Sequence, residues 1–127
     1  MRVLLLLAHG SRRRSSNEEI RHLSGRLAEC LRDCYARVAP AFLELAEPSI
    51  PAAIDEAVNA GATEVVLFPY FLSAGRHVCE DIPRLVGAAR QRHPHARLEL
   101  RPYLGELPGL IELIVASLRE RITTHPP

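Results

Sequence analysis

Charge of one sign is what this sequence most lacks: sixteen basic residues face fifteen acidic ones, for a formal charge of +1. No global field exists to draw in nucleic acid or a membrane surface, so any electrostatic function is local. Lysine is absent, and all sixteen bases are arginine, a bias that fits carboxylate recognition and equally a compositional drift. Cysteine is scarce, and the three present cannot all pair. Cys30 and Cys34, one helical turn apart in an amphipathic stretch, read as small buried residues of a reducing compartment. No apolar run approaches the roughly twenty residues of a membrane span. The opening Met1-Arg2-Val3-Leu4-Leu5-Leu6-Leu7 lacks a small-residue cleavage site and runs into His9-Gly10-Ser11. It reads as a strand, not a signal peptide, and the expected location is the cytoplasm. Linkers, repeats and low-complexity tracts are also missing, and Pro126-Pro127 reads as a frayed end. With 47% hydrophobic residues over 127 positions, the chain is expected to form one domain, 1–127, that holds a core without disulfides or a structural metal.

The order of patterns along the chain predicts alternating strands and helices. Val3 to Ala8 is continuously apolar, as in a strand buried on both faces of a parallel sheet. Ser15 with Glu18 and Ser16 with Glu19 offer capping boxes for a first helix from about Ser16 to Tyr35, carrying Ile20, Leu23, Leu27 and Leu31 at helical spacing. Val38 to Leu45, with Pro40 near its start, reads as an edge strand. Ser49 and Pro51 open a second helix that Gly61 stops. Val65-Val66-Leu67-Phe68 is a second central strand. A third helix follows from Val78, with Pro83 in its first turns and Pro94 at its end. Arg97 to Arg101 alternates as a half-exposed edge strand, and Pro108 opens a last helix with Leu110, Ile111, Ile114, Val115 and Leu118. These patterns predict an α/β domain with a four-stranded parallel sheet of order 2-1-3-4 and helices on both faces. Ligands of such sheets bind beyond the carboxyl ends of the strands at the switch point, here between strands one and three.

Both loops at that point contain a histidine: Ala8-His9-Gly10-Ser11 after strand one and Gly75-Arg76-His77 after strand three. Glu44 stands near the carboxyl end of strand two, on the same rim. Nitrogen and oxygen donors suit divalent first-row metals, and an incomplete set leaves positions open for exchange. Each residue also has a plainer role as a loop cap, a helix cap or a solvated edge side chain. Glu80 and Asp81, one turn beyond His77, are placed to orient an imidazole or simply to enrich a helix start in acid. Arg12, Arg13, Arg14 and Arg76 share the two loops and suit a polycarboxylate ligand, though such a run is equally a solvated loop. His22 reads as exposed, His93 and His95 as members of a solvated turn, and His125 as tail. Phosphate-cradling glycine loops and a nucleophile elbow are absent, which leaves Ser11 and Cys79 without a nucleophilic role.

Together, Ala8-His9-Gly10-Ser11-Arg12, Phe42-Leu43-Glu44-Leu45-Ala46-Glu47-Pro48, Phe71-Leu72-Ser73-Ala74-Gly75-Arg76-His77 and Asp81-Ile82-Pro83 resemble the sirohydrochlorin chelatases, in particular their short cobaltochelatase form. The resemblance covers nearly the whole chain in the correct order. It implies a class II chelatase fold and a lyase that inserts cobalt, iron or nickel into sirohydrochlorin without ATP, in cobalamin- or siroheme-type tetrapyrrole biosynthesis. It implies His9, Glu44 and His77 as metal carriers, with His9 and His77 as the catalytic pair. Ser11, Arg12, Arg13 and Arg76 are the expected substrate-binding residues, with Glu80 and Asp81 behind the histidines. No permanently bound cofactor is expected, the divalent ion being a substrate. Relatives with two such domains in one chain imply a homodimer here, for which the last helix with Leu110, Ile114 and Leu118 is a candidate contact. A histidine-rich storage segment, found in some short members, is missing. Activity is expected to fall on acidification, because a protonated imidazole neither ligates nor accepts a proton. A non-catalytic tetrapyrrole or metal carrier is the alternative with the same residues.

Overall fold

A computed structural model describes residues 1–120 and, at His77, the backbone alone; His125 and the Pro126-Pro127 end lie outside the described residues. The elements are β1 (Arg2–Ala8), α1 (Arg14–Cys30), β2 (Arg37–Phe42), α2 (Ile50–Asn59), β3 (Glu64–Pro69), a single π turn (His77–Asp81), α3 (Ile82–Arg92), β4 (Arg97–Leu100), a 3-10 turn (Leu104–Glu106) and α4 (Gly109–Arg119). The four strands are parallel in the order β2-β1-β3-β4. β1 is central because it is apolar on both sides. Val3, Leu5 and Leu7 pack with Ile50, Ile54 and Val86 of α2 and α3 in the main core. Leu4, Leu6, Phe42 and Val66 are buried on the opposite face. There Arg21 of α1 lies 5.3 Å over the Phe42 ring, so α1 covers that side.

Local chemistry explains most element ends. Ser49 caps α2 by accepting from the Ala52 N–H at 3.2 Å, with Pro51 in the first turn. Gly61 stops the helix with a left-handed φ of 110°. Pro83 is tolerated in the first turn of α3, as expected.

Several expectations are corrected. The capping boxes of Ser15 and Ser16 do not form: α1 starts at Arg14, Arg13 is the cap residue, and no side chain caps it. Instead the buried Asn17 grips the preceding loop, accepting from the Ser11 N–H at 3.0 Å and donating to the Ser11 carbonyl at 2.7 Å. The helix ends at Cys30, not Tyr35, because the N–H groups of Cys34 and Tyr35 both turn back to the Leu31 carbonyl. That reversal lets the Ala36 N–H reach the Arg2 carbonyl and start β2 beside β1. Cys30 and Cys34 are exposed rather than buried, as is Cys79. β2 stops at Phe42, which puts Glu44 in the following loop, and the third helix begins as the π turn. The last helix also departs from the layered pattern. α4 extends from the 3-10 turn, itself held to the loop after β3 by the Gly105 N–H to the Phe71 carbonyl. Its Ile111, Leu113, Ile114, Val115 and Leu118 remain between 39% and 79% exposed.

Candidate metal site at the carboxyl ends of the strands

The β1–β2 ladder continues past both strand ends. The Leu43 N–H donates to the Ala8 carbonyl at 2.9 Å and the Glu44 N–H to the His9 carbonyl at 3.0 Å. Two loop residues are thereby held in sheet register, and their side chains meet: His9 Nε2 and Glu44 Oε1 are 2.9 Å apart. Gly10 makes the approach possible. Its φ of 94° is left-handed, and a Cβ there would lie 1.7 Å from the Glu44 carbonyl oxygen. Leu45, also left-handed at φ 63°, then turns the chain away, and loop 43–48 closes through the Phe42 N–H to the Pro48 carbonyl across a cis Glu47–Pro48 bond.

The side chains of His9 and Glu44 are 52% and 55% exposed, so a ligand arriving from solvent can reach both. An imidazole nitrogen beside a carboxylate oxygen is an N/O donor pair for a divalent transition metal. A cavity of about 380 Å³ opens beside it, lined by His9, Leu43, Glu44, Asp81, Arg84 and Leu85. A second cavity of about 300 Å³, with Ser11, Asn17, Tyr70 and Phe71 in its wall, lies against His9 as well. The His9 ring therefore borders both spaces. Leu45, Tyr70 and Leu72 add exposed apolar surface in the loops after β2 and β3.

The structure brings His9, Glu44 and Asp81 of the expected site together around the larger cavity. His77 opens the π turn that ends at Asp81, while its side chain lies outside the described residues. Asp81 accepts from Arg84 Nη2 at 2.8 Å, and Glu80 is exposed. Ser11 lines the smaller cavity, its hydroxyl accepting from the Arg13 N–H at 3.0 Å. Arg12, Arg13 and Arg76 are exposed and line neither cavity, and Arg14 sits on a cleft of α1 with His22. Arg84 was not among the expected residues; its only trace in the sequence is its spacing of three from Asp81.

His93 corrects another expectation, because it is not in a solvated turn. Its ring is largely buried and bonded through Nε2 to Asp55 at 2.6 Å, with Arg92 on the same carboxylate. The His93 bond, helped by Arg92, holds the Asp55 carboxyl below its ordinary range despite partial burial. This clasp ties α2 to the end of α3 and is separate from the rim.

An open imidazole–carboxylate pair thus stands at the switch point of a doubly wound parallel sheet, where such sheets bind their ligands, and among the described residues no group of three or more His, Cys, Asp or Glu is gathered there to hold an ion by itself. Residues 3–121 match the CbiX family profile, and the chain belongs to that family. It is 37% identical over 93 residues to the sirohydrochlorin cobaltochelatase of Methanocaldococcus jannaschii, covering 73% of this chain and 64% of that one. It is 43% identical over 86 residues to the chloroplastic sirohydrochlorin ferrochelatase of Arabidopsis thaliana, covering 68% and 37% of the two chains. The chain thus spans less than two thirds of the length of these curated relatives. The crystal structure of a CbiX protein from Marinobacter aquaeolei superposes with a TM-score of 0.75 at 29% identity, over 94% of this chain and 95% of that one.

Proposed function

We propose that this chain is a metal-inserting lyase that places a divalent ion into sirohydrochlorin, with His9 and Glu44 as ion carriers and His77 as the third. The observation that carries the reading is the His9–Glu44 pair, 2.9 Å apart and half exposed, beside a cavity at the switch point. A closed cage of donors would bind too tightly to give the ion away; an exposed pair completed by one further ligand does not. Leu45, Tyr70 and Leu72 offer apolar contact to a broad macrocycle laid across the rim. On insertion two pyrrole N–H bonds break and metal–nitrogen bonds form in their place. His9, freed as the ion moves to the ring, takes one proton at Nε2, and solvent takes the other. Charge is conserved without ATP or a redox step. Imidazole and carboxylate bind cobalt, iron and nickel along one affinity series, so metal supply sets the product as much as the site does. The three exposed free cysteines fit a reducing cytoplasm.

The working form in this reading is a homodimer joined through α4. Ile111, Val115 and Leu118 form a single exposed stripe at helical spacing, flanked by Glu112 and Arg119. Two copies of α4 packed antiparallel about a two-fold axis between Ile114 and Val115 set Ile111 against Leu118 of the second copy and Ile114 against Val115, so the apolar stripe is self-complementary.

The test is an insertion assay followed by absorbance, with metal-free sirohydrochlorin in excess over protein and cobalt, iron or nickel supplied in turn. Repeated turnover above the uncatalysed rate is expected. A single stoichiometric binding event without turnover identifies a carrier instead, and no metal-dependent spectral change overturns the reading.

A further inference from the structure

Among the described residues, Arg84 is the one arginine in the wall of the cavity that holds His9 and Glu44. It sits in the first turn of α3, three residues after Asp81, which places both side chains on the same face of the helix start. One guanidinium nitrogen, Nη2, donates to Asp81 Oδ1 at 2.8 Å. A guanidinium carries five N–H donors in a planar fork, so one bond to Asp81 fixes the group and leaves a donor edge free to pair with a further carboxylate. The side chain is 71% exposed, so a ligand at the cavity mouth can reach that edge. The charge arrangement gives it a task. Glu44 and Asp81 put two carboxylates into one cavity; that favours a metal cation and repels an anionic macrocycle. The arginines of the loop after β1 line neither rim cavity.

The geometry points to Arg84 as a substrate-recognition residue that pairs with a peripheral carboxylate of the tetrapyrrole while its bond to Asp81 holds it in place. The inference rests on the proposed chelatase reading and adds a specificity contact to the same cavity. Arg84 acts on the macrocycle and not on the ion. It therefore separates two affinities that a ligand such as His9 would lower together.

The test compares wild type, Arg84→Gln and Arg84→Lys in three titrations: cobalt alone, metal-free sirohydrochlorin alone, and a fully esterified form of the same macrocycle. Arg84→Gln should weaken sirohydrochlorin binding on the order of tenfold or more, with a matching rise in KM and little change in kcat. Cobalt affinity should be unchanged, and the esterified macrocycle should bind wild type and variant alike. Arg84→Lys keeps the charge but loses the fork, and should fall between the two. Wild-type sirohydrochlorin affinity in a folded Arg84→Gln protein overturns the inference and leaves the chelatase reading intact. Equal weakening toward the esterified macrocycle also overturns it, because the contact is then not to a carboxylate. Should the Gln variant fail to fold, wild-type affinity in Arg84→Lys together with unchanged salt dependence overturns it as well. Absence of insertion by the wild type removes the chelatase reading itself, a separate outcome.

Discussion

Gly10 joins the fold to the site. Any side chain there meets both a left-handed backbone and the Glu44 carbonyl, 1.7 Å from the would-be Cβ. Gly10→Ala is expected to cost at least about 1 kcal/mol of stability and to pull His9 from Glu44. Insertion per folded molecule should then drop further than the loss of folded protein explains; a urea melt and initial rates on one preparation check this, and wild-type values for both would refute it. Asn17 makes a second residue-scale prediction. Asn17→Ala leaves the Ser11 N–H and carbonyl without their side-chain partner, at a cost of about 1–3 kcal/mol, measurable as a lower urea midpoint. His9 was legible in the sequence because it follows a recognisable strand into a loop, and Glu44 because it stands at the carboxyl end of another, although the pattern put it inside that strand and the structure puts it in the loop beyond. Asn17 was not: a buried amide that grips a peptide six residues upstream leaves no periodic trace. Arg84 was missed for a related reason, since an arginine three residues after an aspartate is common on any helix surface and only the cavity marks it out.

At the scale of elements, the clasp between α2 and α3 should set part of the acid sensitivity. The hydrogen bond from His93, and after it Arg92, holds the Asp55 carboxyl below its ordinary value of 3.8. A group with a depressed folded pKa contributes stability that is fully present above its unfolded value and is lost as pH falls through the folded one. The stability gap between wild type and Asp55→Asn should therefore be full near neutrality and shrink on acidification below pH 3.8. Chemical melts across that range check it, and a gap that persists unchanged at about pH 2 contradicts it. The cores of the elements were legible because solid apolar runs and helical spacing are strong signals; their ends were less so. α1 stops at Cys30 and not Tyr35 because both following N–H groups turn onto Leu31, a choice made by the need to start β2. α4 was legible as a helix, whereas its separation from the sheet was not: an apolar stripe looks the same whether it faces the chain's own core or another surface. Ile114→Glu or Leu118→Glu is expected to leave the monomer fold intact and shift the chain from dimer to monomer in sedimentation. A dimer that survives both places the interface elsewhere.

At the scale of the whole molecule, the strand order was readable because burial differs so sharply between strands. β1 and β3 are apolar throughout their middles, while β2 carries Pro40 and β4 carries Arg97 and Glu99. Right-handed crossovers then leave little freedom, and the switch point follows. Oligomeric state was not fixed by that logic, since an unpartnered apolar helix face becomes visible only once its own domain is seen to leave it exposed. Light scattering at micromolar concentration should give about twice the 14.1 kDa chain mass; a fully active monomer contradicts the dimer. The central claim is that the His9–Glu44 pair carries the ion into the ring. It is tested most directly by initial rates of cobalt insertion into sirohydrochlorin for wild type, His9→Ala and Glu44→Gln at matched folded concentration. The account predicts that each variant keeps its fold and loses on the order of a hundredfold or more of the enzyme-dependent rate. Near-normal rates from either folded variant would contradict it.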